Sequence, residues 1–179
     1  MPSKLNGRCL GVIGLGHIGQ KVAKIAQAFG MEVICWSPHM TQQRAEEYGV
    51  KYVSKDVLLQ SADVISLHLV LSETTKHILD TNELNLCKQN VCIVNTARAE
   101  LVNQDALLSF LRDNSKAIYA TDVFEQEPIT EEHPFFGYQN ILMTGHWGFV
   151  CDEVLEGFTK DVQKQLNDFC LLSEKGANE

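Results

Sequence analysis

An α/β domain built on a doubly wound parallel sheet is the fold class the sequence predicts, and three observations predict it. Short apolar runs of strand length alternate with longer segments of helical period, the pattern of βαβ units whose sheet is covered on both faces. A glycine-rich turn follows the first apolar run directly. The length, 179 residues, suits one ordinary domain, and with 45% hydrophobic and 21% charged residues the chain can bury a substantial core.

Taken in order, strands are expected near 9–13 (CLGVI), 32–36 (EVICW), 63–68 (DVISLH), 91–95 (VCIVN), 117–121 (AIYAT) and 140–144 (NILMT), with a shorter one at 50–53. Between them, Ile18, Val22, Ile25, Ala26 and Phe29 recur at helical spacing over 17–29, and Ala106, Leu107, Phe110 and Leu111 do so over 103–113. Segments 41–48, 55–61 and 80–87 read as shorter helices. A final helix over 151–172 carries Val154, Leu155, Phe158, Val162, Leu166 and Phe169 on one stripe, for docking on its own sheet or on another domain. The tail SEKGANE is expected to fray. The division that follows is a dinucleotide-binding domain over 4–150 and a C-terminal helix and tail over 151–179.

The net charge of −8 excludes a broad basic face, so nucleic acid is not the expected partner. No apolar run approaches the length of a membrane span, and the start lacks the pattern of a secretory leader, which points to a soluble cytoplasmic protein without a membrane partner. Six cysteines, Cys9, Cys35, Cys87, Cys92, Cys151 and Cys170, show no CxxC pair and no zinc spacing, so buried reduced thiols are expected and no metal.

The segment GVIGLGHIGQ places Gly14, Gly16 and Gly19 in G-x-G-x-x-G spacing between a strand and a helix. In that setting the first glycine permits the tight turn, the second lets backbone approach a pyrophosphate, the third lets helix and strand pack, and the helix N-terminus favours the negative charge. Dinucleotide binding is therefore favoured over a merely structural turn, and the sheet becomes Rossmann-type. The second strand, VICWSPH, ends in Ser37 where such folds usually present a carboxylate to the ribose.

Ligands of open α/β sheets bind at the carboxyl ends of the strands. Those ends present, after the glycine loop, Ser37, His68, then Thr96, Ala97 and Arg98, then Asp122, and finally His146 in TGHWG. Arg98 offers a planar fork of donors for a carboxylate or carbonyl oxygen, against its ordinary reading as a surface arginine. His146 suits proton transfer near neutral pH, against that of a hydrogen-bonded core histidine. Glu127 would orient that imidazole or stand as an exposed carboxylate, and Asp122 would sit near a nicotinamide or cap a turn.

In this order GLGHIG, DVISLHLVLSETT, VNTARAELVNQDAL, TDVFEQEP and ILMTGHWG resemble the NAD-binding domain of the D-isomer-specific 2-hydroxyacid dehydrogenases, over roughly residues 5 to 160. The resemblance implies Arg98, Glu127 and His146 as the catalytic arginine, glutamate and histidine. It implies hydride transfer between a nicotinamide cofactor and a D-2-hydroxy or 2-keto acid, with His146 moving the hydroxyl proton, Glu127 supporting it and Arg98 holding the substrate. Cofactor contacts carry over to Gly14, Gly16, His17, Ile18, Gly19, Ser37, Leu69, Thr96, Ala97, Arg98, Asp122, His146 and Gly148. NAD is expected with NADP admitted, because a serine does not repel a 2′-phosphate and only His39 and Arg44 are cations close to it in sequence. A homodimer is implied by analogy.

The sequence departs from the family's usual pattern at His17 (commonly arginine), Ala99 (glycine) and Gly145 (proline). The family's substrate domain, built mainly from preceding sequence, has no counterpart in the 179 residues, so an isolated cofactor domain with little or no turnover is expected. Two other readings stand beside this one. One is a nucleotide-controlled regulatory module of the corepressor type that resembles these dehydrogenases; the other is a free-standing nucleotide sensor.

Overall fold

The structure, a computed structural model, describes residues 4–176. Residues up to Gly145 form one compact unit and those from His146 a second.

The first unit is a seven-stranded, all-parallel sheet in the order β3-β2-β1-β4-β5-β6-β7. Its strands are β1 (Cys9–Ile13), β2 (Glu32–Trp36), β3 (Lys51–Tyr52), β4 (Val64–Leu67), β5 (Cys92–Asn95), β6 (Ile118–Thr121) and β7 (Ile141–Met143). The intervening helices are α1 (His17–Ala28), α2 (Gln42–Glu46), α3 (Lys55–Ser61), α4 (Thr81–Leu86) and α5 (Gln104–Asp113). Every strand expected from the apolar runs is present, within a residue or two of its predicted ends.

Side-chain alternation along the strands divides the core into two layers. Leu10, Val12, Val33 and Cys35 pack with Ala23 and Ala26 of α1 on one face. Ile13, Ile34, Ile65, Leu67 and Ile93 pack with Leu58, Leu59, Leu84, Leu107 and Leu111 of α3, α4 and α5 on the other. Most of these side chains are fully buried, each worth about 1.5–3 kcal/mol against exposure. At the far end of the sheet Ile118 and Leu142 remain 47% and 63% exposed.

The start of each helix is read from its cap. Thr41, Ser54 and Asn103 accept the backbone N–H of Arg44, Val57 and Ala106 at the starts of α2, α3 and α5. Asp80 and Glu83 form a capping box on α4. α2 stops earlier than its period suggests, because the chain turns through Gly49 in the left-handed region (φ 64°) and Val50 bonds back to Ala45. Single 3₁₀ turns at Ala99–Leu101 and Pro134–Gly137 have no counterpart in the predicted elements.

α1 differs from its sequence reading in orientation. Its buried residues are Gly19, Ala23 and Ala26, whereas Ile18, Ile25 and Phe29 are 65%, 58% and 59% exposed. Helical period locates a helix but does not say which stripe turns inward, and here the small residues do. The reason is close approach: a Cβ on Gly19 would meet the Gly14 carbonyl oxygen at 2.2 Å.

The second unit contains α6 (Asp152–Gly176), which runs past the expected end at 172 and takes in the first part of the predicted frayed tail; residues 177–179 lie outside the described residues. Leu155, Phe158, Val162, Leu166 and Phe169 of its apolar stripe are exposed. The expectation of buried thiols also needs correction: Cys35 and Cys87 are buried and Cys9 and Cys92 partly so, but Cys151 and Cys170 are exposed. No described helix is long and apolar enough to cross a membrane.

Candidate cofactor and substrate site

The carboxyl ends of β1 and β4 lie side by side where the order of the sheet reverses, the crevice that open α/β sheets use for ligands. The glycine loop occupies it. Gly14 has φ 101°, and a Cβ there would meet the His68 carbonyl carbon at 2.7 Å and the Leu69 nitrogen at 2.9 Å, so the position admits only glycine. Its N–H donates to the Trp36 carbonyl (2.9 Å), and the His68 N–H to the Ile13 carbonyl (2.8 Å). Ser37 and Leu69 are thereby drawn to the two sides of the loop.

Gly16 is different. Its φ of −82° is open to any residue, and a Cβ added to it would meet no protein atom within 4 Å. It is the N-cap of α1, yet α1 receives no side-chain cap, unlike α2 to α5, and carries no acidic residue in its first turn. The leading N–H groups and the positive end of the helix dipole are left to an external acceptor, beside the exposed His17 and Ile18.

Beyond β2, Ser37 is half-buried and its carbonyl accepts the Met40 N–H at 3.2 Å. Arg44 Nη1 donates to the His39 carbonyl at 3.3 Å, which puts a guanidinium on the loop that follows Ser37. At the end of β4 the His68 ring shares a 2.9 Å hydrogen bond between Nε2 and Ser66 Oγ, and burial lowers its pKa below the ordinary 6.5.

The end of β5 is shaped by Asn95, a fully buried amide. Its Oδ1 accepts the Ala97 N–H (3.1 Å), while Nδ2 donates to the Arg98 carbonyl (2.8 Å) and to Tyr119 Oη (3.2 Å). The Thr96–Arg98 turn is folded around this side chain. Arg98 is exposed, with Nη1 donating to the Ala97 carbonyl. At the end of β6, Asp122 is buried (5% exposed); its N–H donates to the Asn95 carbonyl and its Oδ1 accepts Thr144 Oγ1 at 2.5 Å. Glu127 is exposed in the loop after β6, and its Oε1 accepts the Phe124 N–H at 2.9 Å.

Among the predicted residues, therefore, the glycine loop, Ser37 and Leu69 adjoin one another, and Thr96, Ala97, Arg98 and Asp122 lie on the neighbouring ends of β5 and β6. His146 opens the second unit. It is a non-glycine residue at φ 59°, and its ring meets that of Phe149 edge-on, with centroids 5.8 Å apart. Such backbone is costly for a side chain and recurs at functional positions. Trp147 and Gly148, which follow it, are exposed. Asn95, Ser66 and Thr144 were not among the predicted site residues; for the buried Asn95 and Ser66 the available signal was a polar side chain within an apolar strand, since such groups demand partners, whereas Thr144 is exposed and offered no such signal.

The sequence profile of the D-isomer specific 2-hydroxyacid dehydrogenase NAD-binding domain matches residues 1–148. The chain belongs to that family. It is 38% identical over 165 residues to the glyoxylate reductase of Thermococcus litoralis, covering 92% of this chain and 50% of that protein. It is likewise 38% identical to the D-3-phosphoglycerate dehydrogenase of Methanocaldococcus jannaschii, covering 91% of this chain and 31% of that one. Among solved structures, D-lactate dehydrogenase from Aquifex aeolicus, complexed with NAD and lactic acid, superposes with a TM-score of 0.83 at 31% identity, over 95% of this chain and 55% of the other. The chain spans about half the length of the glyoxylate reductases it matches. These relatives are dehydrogenases and reductases by name, and the corepressor reading draws no support from them.

Proposed function

We propose that the chain is the cofactor-binding portion of an NAD-dependent D-2-hydroxyacid dehydrogenase, an oxidoreductase acting on CH–OH donors that passes hydride between the cofactor and the second carbon of a 2-hydroxy or 2-keto acid. Gly16 is the observation that carries the reading. Neighbouring protein atoms account for glycine at 14 and 19, but nothing in the protein requires it at 16. A ligand pressed against that backbone does require it, and the uncapped start of α1 supplies N–H donors for the ligand's negative charge.

A nicotinamide dinucleotide, when bound, supplies the hydride carrier. The residues that would hold it are Gly14 to Gly19 at the pyrophosphate, including His17 and Ile18, Ser37 at the adenosine ribose, and Leu69, Thr96, Ala97, Arg98 and Asp122 towards the nicotinamide, with His146 and Gly148. Of the catalytic residues, Arg98 binds a substrate oxygen through its guanidinium, His146 moves the hydroxyl proton, and Glu127 supports the histidine. NAD is the preferred cofactor; Ser37 supports admission of NADP, and the placement of Arg44 at the His39 carbonyl supports it further. The protein is assigned to the cytoplasm, which suits thiols such as Cys35 and Cys87, whose pKa values burial pushes up to about 11 and about 12. A homodimer, with neither nucleic acid nor membrane as partner, rests on family analogy and on the acidic composition.

Isothermal calorimetry tests the cofactor reading: the chain is expected to bind NADH, and absence of binding by both NADH and NADPH at millimolar concentration would overturn it. The catalytic assignment is tested by a panel of 2-keto acids with NADH on a form of the protein that carries a substrate domain. Turnover that survives His146→Ala removes the histidine from its role.

A further inference from the structure

The chain leaving β4 carries an apolar side chain turned to solvent. Leu69 and Leu71 pack against the main core, whereas Val70 between them is 84% exposed. A lone exposed valine is ordinary on a protein surface, but this one is held in place beside the glycine loop. The His68 carbonyl and the Leu69 nitrogen are the atoms that a Cβ on Gly14 would strike, so the backbone leading into Val70 lies against that loop. Beyond it, the Val70 carbonyl accepts the Thr75 hydroxyl at 2.7 Å, and Thr75 Oγ1 in turn accepts the Ser72 N–H at 2.8 Å. Thr75 is buried, and its own N–H donates to the Ser72 carbonyl at 3.1 Å. One buried hydroxyl therefore uses its donor and an acceptor site to close the turn from Val70 to Thr75, and is itself satisfied by doing so.

We infer that Thr75 is a positioning residue for dinucleotide binding, its hydroxyl fixing the turn that presents the Val70 side chain as an apolar surface for a ring of the cofactor. The inference rests on the proposed dinucleotide site. A dinucleotide seated on the glycine loop passes the carboxyl end of β4, and the flat faces of its rings gain from contact with a branched aliphatic side chain. Val70 supplies that contact best from a fixed place. A turn that wanders must be ordered when the ligand arrives, and the lost freedom subtracts from affinity; Thr75 has ordered it beforehand. The work is divided between the two residues, since Thr75 is buried and acts through its neighbour, while Val70 stands outside the core.

The test is calorimetric titration with NADH of the wild-type chain, Val70→Ala, Thr75→Val, Thr75→Ser and the double variant Val70→Ala/Thr75→Val, with urea unfolding of each beside it. Val70→Ala removes two methyl groups from an exposed side chain and should weaken NADH binding about tenfold with the unfolding midpoint unchanged. Thr75→Val keeps the branched shape but can neither donate nor accept, and should weaken binding about five- to tenfold; Thr75→Ser keeps the hydroxyl and should stay within about twofold of wild type. In the double variant the valine at 75 should add less than about a twofold loss, because its effect passes through Val70. A threonine with a merely structural role would give the same fold-loss in both backgrounds, and that result would overturn the inference, as would a serine variant as weak as valine. Should Thr75→Val fail to fold, Thr75→Cys, whose thiol is only a weak donor and acceptor, takes its place in the same cycle. Normal NADH binding by Val70→Ala overturns the inference and leaves the dinucleotide reading standing, whereas a wild-type chain that binds no NADH brings down both.

Discussion

Replacing Asn95 by leucine removes three hydrogen bonds without opening a large cavity, since the two side chains have similar volume. The partners left behind decide the cost. The buried Tyr119 Oη loses the amide donor at a cost of about 1 kcal/mol, and the Ala97 N–H and the Arg98 carbonyl lose the side chain that folds their turn. Both sit in a part-exposed turn that water reaches, so each is taken near the lower limit for a stripped buried group, about 1 kcal/mol. The expected destabilisation is about 2–3 kcal/mol. With a urea slope of roughly 1–3 kcal/mol per molar for a domain of this size, the unfolding midpoint should fall by about 0.7–3 M. Asn95→Asp should cost as much or more, because it keeps the acceptor for Ala97 but sets a buried carboxylate oxygen against the Arg98 carbonyl. Urea titration followed by far-ultraviolet circular dichroism measures both. An Asn95→Leu midpoint within about 0.2 M of wild type would refute the claim that this amide holds the turn, because any one unmet group exceeds that shift.

Further outcomes follow from the loop and its neighbours. Gly16→Ala should cost stability by no more than about 1 kcal/mol, the difference between glycine and alanine as N-cap, yet weaken NADH binding sharply; Gly19→Ala should damage both, its Cβ meeting the Gly14 carbonyl. Calorimetry beside urea titration separates the two, and a Gly16→Ala chain that binds NADH normally would refute the close approach. His68 has a pKa lowered by burial, so the unfolded chain binds its proton first as pH falls; stability should decline below about 6.5 until the folded ring also titrates, and His68→Gln should remove that slope. Ser37→Asp should raise the preference for NADH over NADPH by placing a carboxylate against a 2′-phosphate, and an unchanged ratio of dissociation constants would show that Ser37 does not face the ribose.

The strands were legible because parallel strands buried on both faces are near-continuous apolar runs, as CLGVI, EVICW and VCIVN are, and their carboxyl ends follow from that alone. The glycine loop was legible for the same reason: it needed only a strand before it and a helix after it. What escaped was orientation and support. The spacing of Ile18, Ile25 and Phe29 located α1 but carried no account of backbone contact between Gly19 and Gly14, which turns that stripe outward. Asn95, Ser66 and Thr144 escaped because each falls within an expected strand, 91–95, 63–68 and 140–144. Their work is to satisfy and aim other polar groups, and the partners of a neutral amide or hydroxyl are fixed by tertiary structure rather than by spacing. The short 3₁₀ turns have no period to detect.

The buried contact face of α1 is made of Gly19, Ala23 and Ala26, with the half-buried Val22 at its edge, so this helix meets the sheet mainly with backbone and methyl groups rather than with side chains that can change rotamer. Contacts of that kind are hard-walled: they set a separation and cannot relax around an added methylene. The loop that opens α1 inherits that stiffness. Variation in this helix is accordingly divided by position, with the exposed Ile25 and Phe29 free to change in size while one carbon atom more at position 19 has nowhere to go.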